Sequence, residues 1–328
     1  MDQTNQPAIE APDSDPAVVH AQATAPEPPP NWLFSEGGRL RAGWCAVVYY
    51  LLFRIFALVV GQVVFRVIPA GATRLWSYLG GESAAFLAAV LAALVMTRID
   101  GHQFDEYSLP PKRAFGKMFW IGGVWGMAAI SVMLCAMHGA HLFDFGHIEE
   151  HGVRMLKFGA FWAAFFLLVG LYEEFYFRGY FLFTLTRGLR GLSSGEERGS
   201  DRLSFWTAAL MLCGYFGLIH LGNIGENPVG IAAAACIGLF FCLTLRRTGD
   251  LWFAVGFHTT WDWAQSFLYS VPDSGTLAPG HLLSSSLQGP AWLSGGTVGP
   301  EGSVLVFVVI GVTAVVFDRV YRKSATSG

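Results

Sequence analysis

Apolar residues fall in eight long runs, at 44–65, 77–97, 117–137, 156–186, 204–221, 229–245, 251–270 and 303–321. An α-helix needs about 20 mostly apolar residues to cross a bilayer. The fifth and sixth runs are short but adequate. The fourth is too long for one upright span, so it predicts tilt, a kink or protrusion near Gly179. The pattern predicts an all-α fold, a polytopic membrane bundle of about eight transmembrane helices.

Charge in the connections alternates from one side to the other. Arg39, Arg41, Arg98, Lys112, Arg113, Lys117, Arg187, Arg190, Arg198, Arg202, Arg246, Arg247, Arg319, Arg322 and Lys323 fall on one side. The other has only Arg66, Arg74, Arg154 and Lys157, and its long connection 271–302 has no Lys or Arg. Basic loops stay in the cytoplasm, so both termini are expected there.

Composition agrees. The chain of 328 residues is 53% hydrophobic and 14% charged, against about 25% charged in an ordinary soluble domain. The net charge of −3 leaves no basic surplus for nucleic acid. Residues 1–40 are rich in Pro, Ala and acid at their start and read as a disordered tail without a signal peptide. Residues 41–325 read as the membrane domain. The linker 191–202, "GLSSGEERGSDR", reads as flexible, and the five cysteines as small buried hydrophobes.

Against this background, "LYEEFYFRGY" (171–180) stands out. It sets Glu173, Glu174 and Arg178 inside an apolar run, where ionisable groups are costly and mark function by default. Glu174 and Arg178, four apart, share a helix face and can pair. Glu173 is turned about 100° away and has Phe177 at i+4, so it is the carboxylate left free to act as a base. His220 ends the fifth run, and His258 and Asp262 lie one turn apart in the seventh. At about 1.5 Å per residue, Glu173, His220 and His258 sit roughly 20, 26 and 15 Å from the cytoplasmic helix ends. Those depths allow one shared pocket. Each histidine alone reads equally well as a hydrogen-bonded packing residue.

Three motifs resemble the CAAX protease and bacteriocin-processing family of intramembrane endopeptidases, also called the ABI family. They are "EEFYFR" (173–178), "FGLIH" (216–220) and "HTTWD" (258–262), in that order on successive runs within a core of 156–270. The resemblance implies that Glu173 activates the attacking water, that His220 helps to hold it, and that His258 and Asp262 stabilise the oxyanion. Glu174 and Arg178 support the site. Position 262 is Asp where the best-known eukaryotic relatives have Asn. An ionised Asp repels an oxyanion, so Asp262 is expected to orient His258 or to be protonated itself.

The implied activity is intramembrane endopeptidase, on a prenylated C-terminal peptide or a small secreted or signalling peptide. The partners are a peptide or protein substrate and the lipid bilayer, with no nucleic acid. The location is a bacterial inner membrane, with the site opening toward the cytoplasm. The residues leave the cofactor open. Either none is required, or a divalent metal such as zinc uses Glu173, His220 and His258, which meet the three-ligand count of a catalytic site.

The alternatives are a non-catalytic immunity protein or scaffold of the same fold, and a small transporter. A scaffold predicts loss of a motif, and all three are intact. A transporter predicts inverted repeats or broken helices, and neither is visible. One further pattern, "HIEEH" (147–151), formally matches an inverzincin motif. Its short extracytoplasmic loop has no room for a third ligand, so it is expected to be a solvated polar loop.

Overall fold

The computed structural model describes residues 32–33, 39–69, 74–190, 197–223 and 225–322, with side chains described from 201 onward in the fifth helix. Most of the tail 1–40 and residues 191–196 of the linker lie outside these. The helices are α1 (Ala42–Val67), α2 (Arg74–Ile99), α3 (Lys117–Gly139), α4 (Gly152–Arg190), α5 (Glu197–Ile219), α6 (Pro228–Thr248), α7 (Trp252–Trp263) and α8 (Leu305–Tyr321). The linker is thus shorter than expected, because 197–202 already belong to α5.

Among the described residues, the helices long and apolar enough to cross a membrane are six, α1 to α6. The other two expected spans form shorter helices. α7 continues as a π-helical turn, Ala264–Leu268, before the chain leaves the helix, and α8 has 17 residues. Apolar side chains of α1 such as Leu51, Ile55, Leu58 and Val63 are exposed, as suits a helix facing lipid.

α4 is one helix of 39 residues. It absorbs its excess length by widening to a π-helix over Glu174–Phe181. The irregularity anticipated near Gly179 is this segment, and it carries all of the Glu-Glu-x-x-x-Arg motif except its first residue. π-segments within α-helices frequently occur at functional sites.

α3 and α7 pack backbone to backbone. A Cβ at Gly122 or Gly126 would overlap the carbonyl oxygens of Phe253 and Phe257, and one at Gly256 that of Phe119. Small residues allow such approach in membrane bundles, where van der Waals packing drives helix association. Thr260 of α7 then donates to the Gly123 carbonyl at 2.7 Å. α6 has clear end signals. Asn227 caps it by accepting from the N–H groups of Val229 and Gly230, both at 2.9 Å. Pro228 follows at its first position, and Gly249 closes it in the left-handed region at φ 85°.

The end of the bundle away from the termini is covered by ordered chain. β1 (Phe143–Asp144) pairs antiparallel with β2 (Ser286–Leu287). His147, first residue of the inverzincin-like pattern, donates its backbone N–H to Ser284 Oγ at 2.9 Å, and its Nδ1 lies 2.8 Å from the same oxygen. The Glu149 N–H donates to the Leu282 carbonyl at 2.8 Å. His147, Ile148, Glu149 and His151 are exposed, as expected of a solvated loop, and the loop also hydrogen-bonds to the connection 271–302.

All five cysteines are free. Cys45, Cys213 and Cys242 are buried as expected, whereas Cys135 is exposed.

Candidate active site

Glu173, the last α-helical residue before the π-segment, turns toward a cavity of about 430 Å³. The same cavity is lined by His220 at the end of α5 and by His258 and Asp262 of α7. Helix geometry separates the paired glutamates. Glu173 faces the cavity, and Glu174 lies within the protein at 0% exposure.

Glu174 accepts from Arg178 Nη1 at 3.0 Å. The Arg178 guanidinium lies over the Phe216 ring, 4.4 Å from its centroid, with Phe177 and Phe241 beside it. Burial strips both charges of water, so each depends on the other. The pair does more than clamp helices. Glu174 Oε1 also lies 3.1 Å from His258 Nδ1, so the carboxylate of α4 sets the orientation of a ring on α7. Phe241 stacks on that ring at 5.5 Å.

The other ring nitrogen faces the cavity. His258 Nε2 is 3.3 Å from Asp262 Oδ2 and 3.8 Å from Glu173 Oε2. The first distance is a direct contact. The second exceeds hydrogen-bond range, and a water lying to the side of both atoms can hydrogen-bond to each. His220 is held apart from these groups, with its Nδ1 2.7 Å from the Phe216 carbonyl and its ring against the Phe216 ring.

Among the described residues, no group of three His, Cys, Asp or Glu side chains converges to hold a metal ion. Glu173, His220 and His258 thus share a cavity without forming a ligand set.

Further carboxylates line the same space: Glu82, Glu226, Asp273 and Glu301. Glu82 sits in the second apolar run and satisfies the depth criterion that singles out Glu173. The other three lie in connections without periodic signal, and only folding brings them in. Asp273 and Glu301 belong to the connection 271–302, which had no assignable role in the sequence. Burial raises Asp273 from 3.8 to about 6, with the nearby His258 and the Ser266 hydroxyl opposing the shift. Burial and the Asp273 charge raise Glu301 from 4.5 to about 8.

The cavity lies toward one end of the bundle. Its walls come from the helix ends and connections opposite the termini, including Asn223, Thr276 and Val298.

Residues 155–264 match a family model described as Rce1-like, Type II CAAX prenyl endopeptidase Rce1-like. This segment is Rce1-like. The match covers well under half of the chain but includes all three motifs and every residue the sequence singled out for the site. Comparison with curated proteins and with solved structures returns no match. The Rce1-like segment runs from early α4 to the end of α7, and the helices it contains bring the Glu, His and Asp side chains to one cavity. The Rce1-like segment stands beside further helices that are long and apolar enough to cross a membrane.

Proposed function

We propose that the protein is an intramembrane endopeptidase in which Glu173 is the general base. The observation that carries the reading is the 3.8 Å gap between Glu173 Oε2 and His258 Nε2 inside the shared cavity. A water lying beside both atoms is in reach of a carboxylate and of an imidazole that is itself held from behind by Glu174.

The steps follow from these positions. Glu173 takes a proton from the water as its oxygen adds to the scissile carbonyl carbon. Negative charge develops on the carbonyl oxygen, and an N–H at His258 Nε2 donates to it. Preoriented donors are effective because they need no reorganisation during the reaction. The protonated Glu173 then gives its proton to the leaving amine as the C–N bond breaks. This restores the carboxylate and releases an acid and an amine. His220 lines the same cavity, and its part in holding the water is what the resemblance of the three motifs implies. Asp262, at 3.3 Å from Nε2, keeps the ring aimed at the cavity and is a positioning residue. The walls around the site, including Trp162, Phe166 and Phe257, limit access of bulk solvent.

The test is cleavage of a library of apolar and prenylated peptides by the purified protein in lipid, wild type against Glu173→Gln. Cleavage that is lost in a folded variant supports the reading. Equal cleavage by both proteins removes Glu173 from the role of base. Absence of cleavage by both, with every peptide shown to bind, favours a non-catalytic scaffold.

A further inference from the structure

We infer that the cavity is entered from the extracytoplasmic face, so that the peptide it receives is presented from outside the cytoplasm. The word peptide rests on the proteolytic reading above. The sidedness rests on geometry and charge alone.

Three observations converge. The first is the origin of the walls. α2 contributes Glu82, eight residues after its start at Arg74, and α4 contributes Trp162, well before the π-segment. Asn223 comes from the connection between α5 and α6, and Asp273, Thr276 and Glu301 come from the connection between α7 and α8. Every one of these lies toward the end of the bundle opposite the start of α1 and the end of α8. Thr276 is exposed and also lines the cavity, so it stands at the mouth.

The second observation is a plug at the other end. Next to Glu173, toward the side of the termini, come Glu174 and Arg178, ion-paired at 3.0 Å and 0% and 2% exposed. Around the guanidinium stand the buried rings of Phe177, Phe216 and Phe241. Opening a route there would separate two desolvated charges, which is strongly unfavourable.

The third is the charge of the connections. The Lys and Arg residues that flank the helices lie overwhelmingly at the plugged end, and 271–302 at the open end has none. By the positive-inside rule the plugged end is cytoplasmic. A peptide released or anchored on the extracytoplasmic side reaches the cavity directly, whereas a C-terminus in the cytoplasm meets the plug. The chemistry of the occupant follows: an exported or outer-leaflet peptide segment with apolar side chains for the aromatic wall.

The test uses two single-cysteine positions read by mass spectrometry, in right-side-out and inverted membrane vesicles, with a membrane-impermeant maleimide. Thr276→Cys marks the mouth. Lys112→Cys, exposed between α2 and α3, marks the opposite end. The expected result is labelling of position 276 only in right-side-out vesicles and of position 112 only in inverted ones. The reverse pattern overturns the inference. So does labelling of position 276 only after detergent is added, since the mouth is then closed in the membrane. A quenched fluorescent peptide is added to the same two preparations. If position 276 labels from outside and no peptide is cleaved from either side, the proteolytic reading fails while the sidedness stands. Cleavage confined to inverted vesicles overturns the sidedness and leaves the protease.

Discussion

His258 Nδ1 lies 3.1 Å from Glu174 Oε1, and that same oxygen accepts from Arg178 at 3.0 Å. The second glutamate of the motif is thus shared between a buried guanidinium on its own helix and an imidazole on α7. The first glutamate is left facing the cavity. Two adjacent residues of one type take different tasks because helix geometry turns them to different surroundings.

Replacing Glu173 by Gln keeps the volume and removes the base. General-base catalysis contributes about 10²–10⁴-fold, so cleavage should fall by about that factor with the thermal midpoint little changed. Parallel measurements of turnover and melting in detergent check this. A large drop in melting temperature would instead make Glu173 a structural residue.

Glu174→Ala should behave differently. It leaves the Arg178 charge buried and unpaired, a loss of about 3–5 kcal/mol for such pairs. The double variant Glu174→Ala with Arg178→Met should recover much of the stability. It should not recover cleavage, because His258 still lacks the acceptor at Nδ1. Melting temperature and turnover of the single and double variants separate the two effects.

Gly126→Val tests the contact between α3 and α7. Any Cβ there overlaps the Phe257 carbonyl and crowds the Thr260 hydroxyl. Overpacking in a core costs about 1–3 kcal/mol, and here the obstacle is backbone that cannot rotate away, so the loss should reach or exceed that range. Thermal unfolding should show it. At the exposed Gly43, where an added Cβ meets nothing, substitution to Ala should leave the midpoint unchanged.

Stability should fall as pH rises toward 8. Asp273 and Glu301 lie in the connection 271–302, with folded values raised to about 6 and about 8. Between the unfolded and folded values the folded state holds a proton that the unfolded state has lost. The unfolding free energy therefore declines with pH over 3.8 to about 6 for Asp273 and 4.5 to about 8 for Glu301. The groups around Glu301 are Asp273, Glu226 and His258. Glu301→Gln should flatten the upper part of the slope in a series of melts from acid to neutral pH. A midpoint that rises with pH in the wild type would contradict the assignment.

The apolar runs located the helices well, because the bilayer demands long uninterrupted apolar segments and ordinary loops cannot imitate them. Length was less secure at 251–270 and 303–321. There the helix runs Trp252–Trp263 and continues in π form to Leu268, and the last runs Leu305–Tyr321, so the positions agree and only the α-helical length falls short of a full span. At the site, ionisable residues inside apolar runs pointed to Glu173, His220, His258 and Asp262, all of which line one cavity. Glu82 carried the same signal. Asp273 and Glu301 did not, because polar residues are ordinary in a connection until it folds back over the bundle.

What the sequence by itself determined is therefore what depends on position along one helix: where the helices lie, the facing of Glu174 with Arg178, the separation of Glu173 from them, and the charge asymmetry of the ends. Only the tertiary structure decided what depends on neighbours distant in the chain. It brought Glu174 to His258 and carried 271–302 into the cavity wall. The physical reason is that short-range backbone geometry repeats with a known period, whereas contacts between helices depend on packing. Here that packing includes glycines of α3 that let α7 approach to backbone contact, and hydropathy does not record it.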